Sequence, residues 1–233
     1  LSLCVDAGEY VSGGYYLARR PEAGVLSASG CLADFFPDSW AIEWSTDNSG
    51  HRSGKAALFG IVPESLREVQ VWATESFEKE FGAWSAFYSL EAAKNARTRF
   101  LSEFPQVVVF GLGLRESCVD GFEDAARPPA PKPGYSPFGE TGVLQCVSRR
   151  EAIAPGGVPA GFELVSTYLG QLTCSWRCNA LEAECARELG VQLNSAGLIS
   201  SFEDATRCAE YVSRDDAGAE PGLWLPWLIT IYE

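Results

Sequence analysis

The chain has no methionine, a single histidine and only four lysines among its eighteen basic residues. With one histidine, any histidine-based acid, base or triad has to use His51, which stands in the polar turn "NSGHRSGK". No Gly-x-Ser-x-Gly elbow occurs, and "GHRSG" has the wrong order for one. After an apolar run, "FGLGLRES" supplies Gly111 and Gly113 but no third glycine, so a dinucleotide-binding loop is incomplete. No uninterrupted apolar stretch approaches the roughly 18 residues of a membrane-spanning helix. The first residues, "LSLCVDAGEYVSGG", show neither a basic n-region nor an apolar h-region, so no leader is expected within the chain. The preference for arginine over lysine reads as compositional bias rather than chemistry.

Acid is what the chain has in excess. Thirty-one acidic residues against eighteen basic ones give a net charge of −13 and a pI near 4.6. Such a surface repels nucleic-acid phosphates and anionic membranes, and it attracts basic proteins. Hydrophobic residues at 46% and charged residues at 21% are an ordinary globular balance. The length of 233 residues allows one large domain or two small ones. A cytoplasmic location is the expectation.

Along the chain, "GYYLARR" (14–20) and "SWAIEWS" (39–45) alternate as strands do, with glycine- and Asp/Asn-rich turns between. In "VPESLREVQVWATESFEKEF", Pro63 suits a first helical turn, and Leu66, Val69, Ala73 and Phe77 recur at helical spacing. A second helix is expected from Ser89, with Leu90, Ala93, Phe100 and Leu101 on one side, followed by a buried strand in "QVVVFGLGL" (106–114). Five prolines in 127–137, "RPPAPKPGYSP", exclude regular structure there. "GVLQCVS" and "GFELVSTY" read as further strands, then two helices, then the strand "LWLPWLITIYE", where Pro226 argues for an edge or a bulge. The expected fold is α+β, with mixed or antiparallel sheet covered by about four helices. Its parts are an N-terminal half (1–126), a proline-rich arm or linker (127–137) and a C-terminal half (138–233), as two related halves or one continuous domain. "FYSLEAAKNARTRF" (87–100) and "ISSFEDATRCAEYV" (199–212) echo one another, and Ser200 with Glu203 forms a capping-box pattern. That echo reads as two similar ways of starting a helix.

Three of the eight cysteines crowd into "TCSWRCNALEAEC". On a helix over 174–189, Cys174, Cys178, Leu181, Cys185 and Leu189 fall on one narrow stripe, opposite a charged face. Cysteine packs as a small hydrophobe, so these thiols read as reduced core residues. A zinc site would need a second ligand pair beside Cys174 and Cys178, and a redox motif would need Cys-x-x-Cys spacing. No metal or cofactor is expected.

In the tail "SRDDAGAEPGLWLPWLITIYE", an acidic loop runs into two tryptophans. Acidic rims steer basic partners and tryptophan is frequent at interface centres. Asp215, Asp216 and Glu220 are therefore candidate partner-binding residues, with Trp224 as an anchor. The segment "DGFED" offers a second set, Asp120, Glu123 and Asp124. The run "GFELV…LTCSWRCNALE…LGVQLNSAGLI…ATRCAEYV…AEPGLWLPWLI", over roughly 161–232, resembles bacterial cytosolic toxin-immunity proteins in general make-up. The resemblance implies a compact acidic α+β protein that neutralises a toxin by binding it, and it assigns no individual residue. Function is thus expected to be binding of a basic protein, with no nucleic acid or membrane partner. The alternative is a hydrolase or transferase that uses loop carboxylates or His51.

Overall fold

In the computed structural model, residues 6–19, 66–82, 86–126, 142–168, 171–176, 181–219 and 221–233 are described. The strands are β1 (Tyr10–Arg19), β2 (Val107–Arg115), β3 (Val158–Tyr168), β4 (Gln171–Ser175) and β5 (Leu223–Tyr232). The helices are α1 (Leu66–Ser76), α2 (Leu90–Leu101), α3 (Glu116–Ala126), α4 (Val143–Ser148), α5 (Leu181–Leu189) and α6 (Phe202–Val212). All strand pairs are antiparallel and the order is β1-β2-β5-β3-β4. The fold is α+β, as the sequence implied, and among the described residues one sheet runs through both halves of the chain. Among the described residues, no helix is long and apolar enough to cross a membrane.

Both faces of the sheet are buried, which is why β2 is apolar at almost every position. Val107 and Val109 join one cluster with side chains of α1, α2, α5 and α6. Val108, Phe110, Leu112 and Leu114 join another with α3 and α4. Helix α4 touches both β1 and β4, the strands at opposite ends of the sheet, so the sheet curls around the α3–α4 side. Gly111 leaves room on the opposite face, where a Cβ would stand 2.9 Å from the Tyr232 ring and 3.1 Å from Ile153. Residues 151–153 pair with the outer edge of β1 through Ser12 N–H to Glu151 O (2.7 Å) and Ile153 N–H to Tyr10 O (3.0 Å).

The two halves are built alike. A strand (β1 or β3) leads through a helix pair (α1–α2 or α5–α6) to a central strand (β2 or β5), and the central strands pair with each other. Tyr15 bridges Phe87 in the first half as Phe162 bridges Ile199 in the second, each by a reciprocal pair of backbone hydrogen bonds of 2.8 and 3.0 Å. Phe87 also bridges Phe81, and Ile199 bridges Leu193, at the same spacing. A bulge precedes Tyr15 at Gly14 (φ +103°) and another precedes Phe162 at Gly161 (φ +143°), conformations that favour glycine. Tyr15 pairs with Gly111 as Phe162 pairs with Leu228, so the pseudo-two-fold axis passes through the Leu112–Ile229 pair. Buried positions correspond as well: Val69 with Leu181, Ala73 with Cys185, Ala93 with Ala205, Ala96 with Cys208 and Phe100 with Val212. The echo between 87–100 and 199–212 is therefore an architectural correspondence, more than two similar helix starts.

Three local expectations are corrected, and the one at Pro226 is met locally. "GVLQCVS" forms helix α4 rather than a strand, because Val143, Cys146 and Val147 bury one side of a helical turn beneath the sheet. The expected helix over 174–189 is not formed at its start: 171–175 pairs with β3 as strand β4, and the described helix is Leu181–Leu189. The cap of α6 is Ser201, whose hydroxyl accepts the Asp204 N–H at 3.1 Å, one residue later than the Ser200–Glu203 pattern. Strand β5 is central, yet its pairing with β2 stops at Trp227. At Pro226 only β3 is alongside, so the proline sits where the strand is locally an edge. The expected strand at 39–45, Pro63 and the arm at 127–137 lie outside the described residues.

Two glycines should respond to alanine with opposite signs. A Cβ on Gly13 would stand 2.5 Å from the ring of Trp227, which is fully buried against Phe122. Gly13→Ala should therefore cost about 1–3 kcal/mol. Gly121 lies within α3, exposed, and a methyl group there would meet nothing within 4 Å. Gly121→Ala should gain about 0.5–1 kcal/mol. Urea unfolding midpoints of the two variants check both signs.

Candidate partner-binding surface

The repeated architecture allows the two helix pairs to be compared position by position. Residues 66–101, spanning α1–α2, hold five acidic and five basic residues. The corresponding residues 178–213, spanning α5–α6, hold six acidic and two basic ones. Packing against the sheet constrains both pairs alike, so the difference lies in the charge carried outward. On the second pair, Arg207 binds Asp204 (3.0 Å), Arg187 binds Glu188 (2.9 Å) and the Tyr211 hydroxyl donates to Glu184 (2.6 Å). Glu203 and Glu210 are exposed, without an ion pair among the described residues.

The 213–219 turn extends this face directly from the end of α6. Asp215 is exposed, and Asp216 is exposed but held by Arg214 at 2.9 Å. Hydrogen bonding to Arg214, together with its charge, keeps the Asp216 carboxyl below the usual carboxylate range. The Arg214 guanidinium also lies 4.3 Å from the Tyr211 ring centroid, which anchors the turn to α6. Of the two aspartates, Asp215 is the one without an ion pair among the described residues. Glu220 lies outside the described residues.

Trp224 cannot serve as the anchor. It is 3% exposed and packs in the cluster beneath α1, α2, α5 and α6. The alternation of β5 sends Trp224 and Leu228 to that face and Trp227 to the other, where Phe122 meets it edge-on at 5.5 Å. Both tryptophans serve the core.

The second acidic set lies elsewhere. Asp120 and Glu123 stand with Glu116 along one side of α3, and Arg150 reaches all three, at 2.8, 2.9 and 3.3 Å respectively. Arg150 adopts φ +54°, a left-handed conformation uncommon for a side-chain-bearing residue. This turn locks the chain after α4 onto α3 and neutralises part of the acid there. Asp124 is exposed on the same helix. Helix α3 covers the face of the sheet opposite α6, so the 120–124 set and the 215–216 turn do not form one surface.

Some polar residues of the interior carry no signal in the sequence. Glu163 is fully buried on β3 and accepts a 2.5 Å hydrogen bond from the Ser175 hydroxyl of β4. Helix α3 covers this side of β3. Burial pushes the Cys146 thiol up to about 12 and raises that of Cys118. Among the described residues, no group of three or more His, Cys, Asp or Glu side chains is placed to hold a metal ion. His51 and Cys178 lie outside them. Comparison of the chain with protein-family models, curated proteins and solved structures finds no match.

Two outcomes follow from the buried groups. Glu163→Ala should cost about 2–4 kcal/mol, since it opens space and strips the buried Ser175 hydroxyl of its acceptor, while Glu163→Gln keeps an acceptor and costs less. Alkali should also destabilise the fold. Cys146 contributes stability that is complete below its ordinary value of 9.0 and is lost as pH rises toward about 12. Tyr15, Tyr16 and Tyr232, likewise raised by burial, act in the same direction at higher pH. Urea midpoints at about pH 8, 9.5 and 11 should fall in that order, and the first step should shrink in Cys146→Ala.

Proposed function

We propose that the chain acts by binding a basic protein, as an immunity protein or inhibitor does when it neutralises a toxin. The observation that carries this is the charge difference between two architecturally equivalent helix pairs. The α1–α2 pair shows that the fold needs no excess of acid on its outer side, whereas α5–α6 and the adjoining turn carry one. An uncompensated acidic face on a chain of net charge −13 accelerates encounter with a cationic partner and repels acidic ones. Glu203, Glu210 and Asp215 are the contact residues of this reading, with Asp216 contributing less because Arg214 already holds it. Trp224, sealed in the core, takes no part, and the α3 acids form a separate and partly neutralised patch.

The test begins with capture of a partner from the source organism on immobilised protein at low salt, followed by titration of the purified partner. Reversing Glu203, Glu210 and Asp215 to lysine should lower the association rate about tenfold or more at low salt, with a smaller change in dissociation. The difference should shrink as the ionic strength approaches about 1 M, where screening is short-ranged. A partner that binds the reversed variant as fast as the parent protein would remove this face from the reading. Capture of no basic protein would remove the reading itself.

A further inference from the structure

We propose that Pro159 keeps the outer edge of β3 from pairing with a second copy of this chain. The two halves of the sheet treat that edge differently. In the first half, residues 151–153 close the outer edge of β1. Val11 bridges Ala152, the Ser12 N–H donates to Glu151 O at 2.7 Å, and Tyr10 O accepts the Ile153 N–H at 3.0 Å. The shared architecture puts Gly157, Val158 and Pro159 where Tyr10, Val11 and Ser12 stand. Ser12 faces Gly113 as Pro159 faces Thr230, and Val11 faces Leu114 as Val158 faces Ile231.

Among the described residues, nothing pairs with the outer side of 157–159, and β4 reaches only Val165–Tyr168. The consequence shows at the central valine of each edge: Val11 is 3% exposed, Val158 is 63% exposed. An open strand edge that presents an exposed apolar side chain is a template for association. The net charge of −13 repels two copies, but salt screens that repulsion beyond about 8 Å at physiological ionic strength. Contact at the edge therefore needs a short-range obstacle.

Pro159 stands where that obstacle acts. In an antiparallel ladder the backbone groups of alternate residues point to opposite edges. At position 12 the N–H points outward, to Glu151, so the equivalent position 159 also faces outward. A proline there removes the outward donor and leaves the ladder between β3 and β5 intact. The edge is otherwise self-complementary. Two copies meeting antiparallel about a two-fold axis would set the two Val158 side chains against each other. Residue 159 of each would then donate to the Gly157 carbonyl of the other, as Ser12 donates to Glu151. Because the axis repeats the proline, one residue type abolishes both hydrogen bonds.

The experiment compares the full chain with its variants Pro159→Ser and Pro159→Val by sedimentation equilibrium, in about 0.5 M salt to screen the net charge. Serine is the residue at the equivalent position 12, so the first variant should fold, and circular dichroism checks both. Each variant should form dimers at least about tenfold more tightly than the parent chain, since two hydrogen bonds are restored. Adding Val158→Lys to Pro159→Ser should return association to the parent level, because like charges then stand opposite each other. Variants that associate no more than the parent would overturn the proposal, as would association that survives Val158→Lys. Unfolding of both variants would make the proline a requirement of the fold and overturn it too. So would a dimer of the parent chain that Val158→Lys alone dissolves.

Discussion

The antiparallel pairing of β2 with β5 is the contact on which the rest of the molecule depends. These strands come from opposite halves of the chain, and each also carries its own half's outer strand, β1 on β2 and β3 on β5. Since both faces of the pair are covered, its residues are apolar on either side: Leu112 and Ile229 toward α3 and α4, Val109 and Leu228 toward the four remaining helices. Removing this pairing would leave two smaller sheets, each with an apolar face and an unpaired edge. Such an edge is an invitation to aggregate, and burying it inside a continuous sheet is the physical reason the halves stay together.

Around this axis the same plan is carried out with different side chains. The glycine bulge before Tyr15 recurs before Phe162, and the serine cap of α2 recurs at α6. Where the plan needs only space, the halves diverge: buried Ala73 and Ala96 stand against buried Cys185 and Cys208, and Tyr16 against the buried Glu163 on the outer strands. The outward charge diverges further, balanced on α1–α2 and acidic on α5–α6. What differs between two copies of one architecture is what the architecture does not require. Those are the places where function is sought, and the proposed binding face rests on one of them.

Much of this is legible in the chain. Runs with a strong period and a clear boundary signal, such as "QVVVFGLGL", "GFELVSTY" and the helix capped by Ser89, form the elements their patterns imply, because local preference and burial agree there. The α+β class and the acidic character likewise follow from composition and order. Short segments are the exceptions: six residues of α4 and five of β4 carry too few turns or pairs to declare themselves. Their state is set by what they pack against, α4 beneath both ends of a curled sheet and β4 beside β3.

The sequence by itself determined the fold class, the main strands and helices, the excess of acid and the burial of the cysteine at 185. Only the tertiary structure decided that Trp224 lies in the core and Asp215 on a surface, that Glu163 is sealed inside, and that the acids of α3 and α6 face opposite ways. It also decided that the two halves share one axis. Periodicity tells which side of an element is apolar, but not which elements stand opposite one another. The pairing of β2 with β5 joins residues far apart in the chain, and no local preference encodes a contact whose energy arises only once both partners are in place.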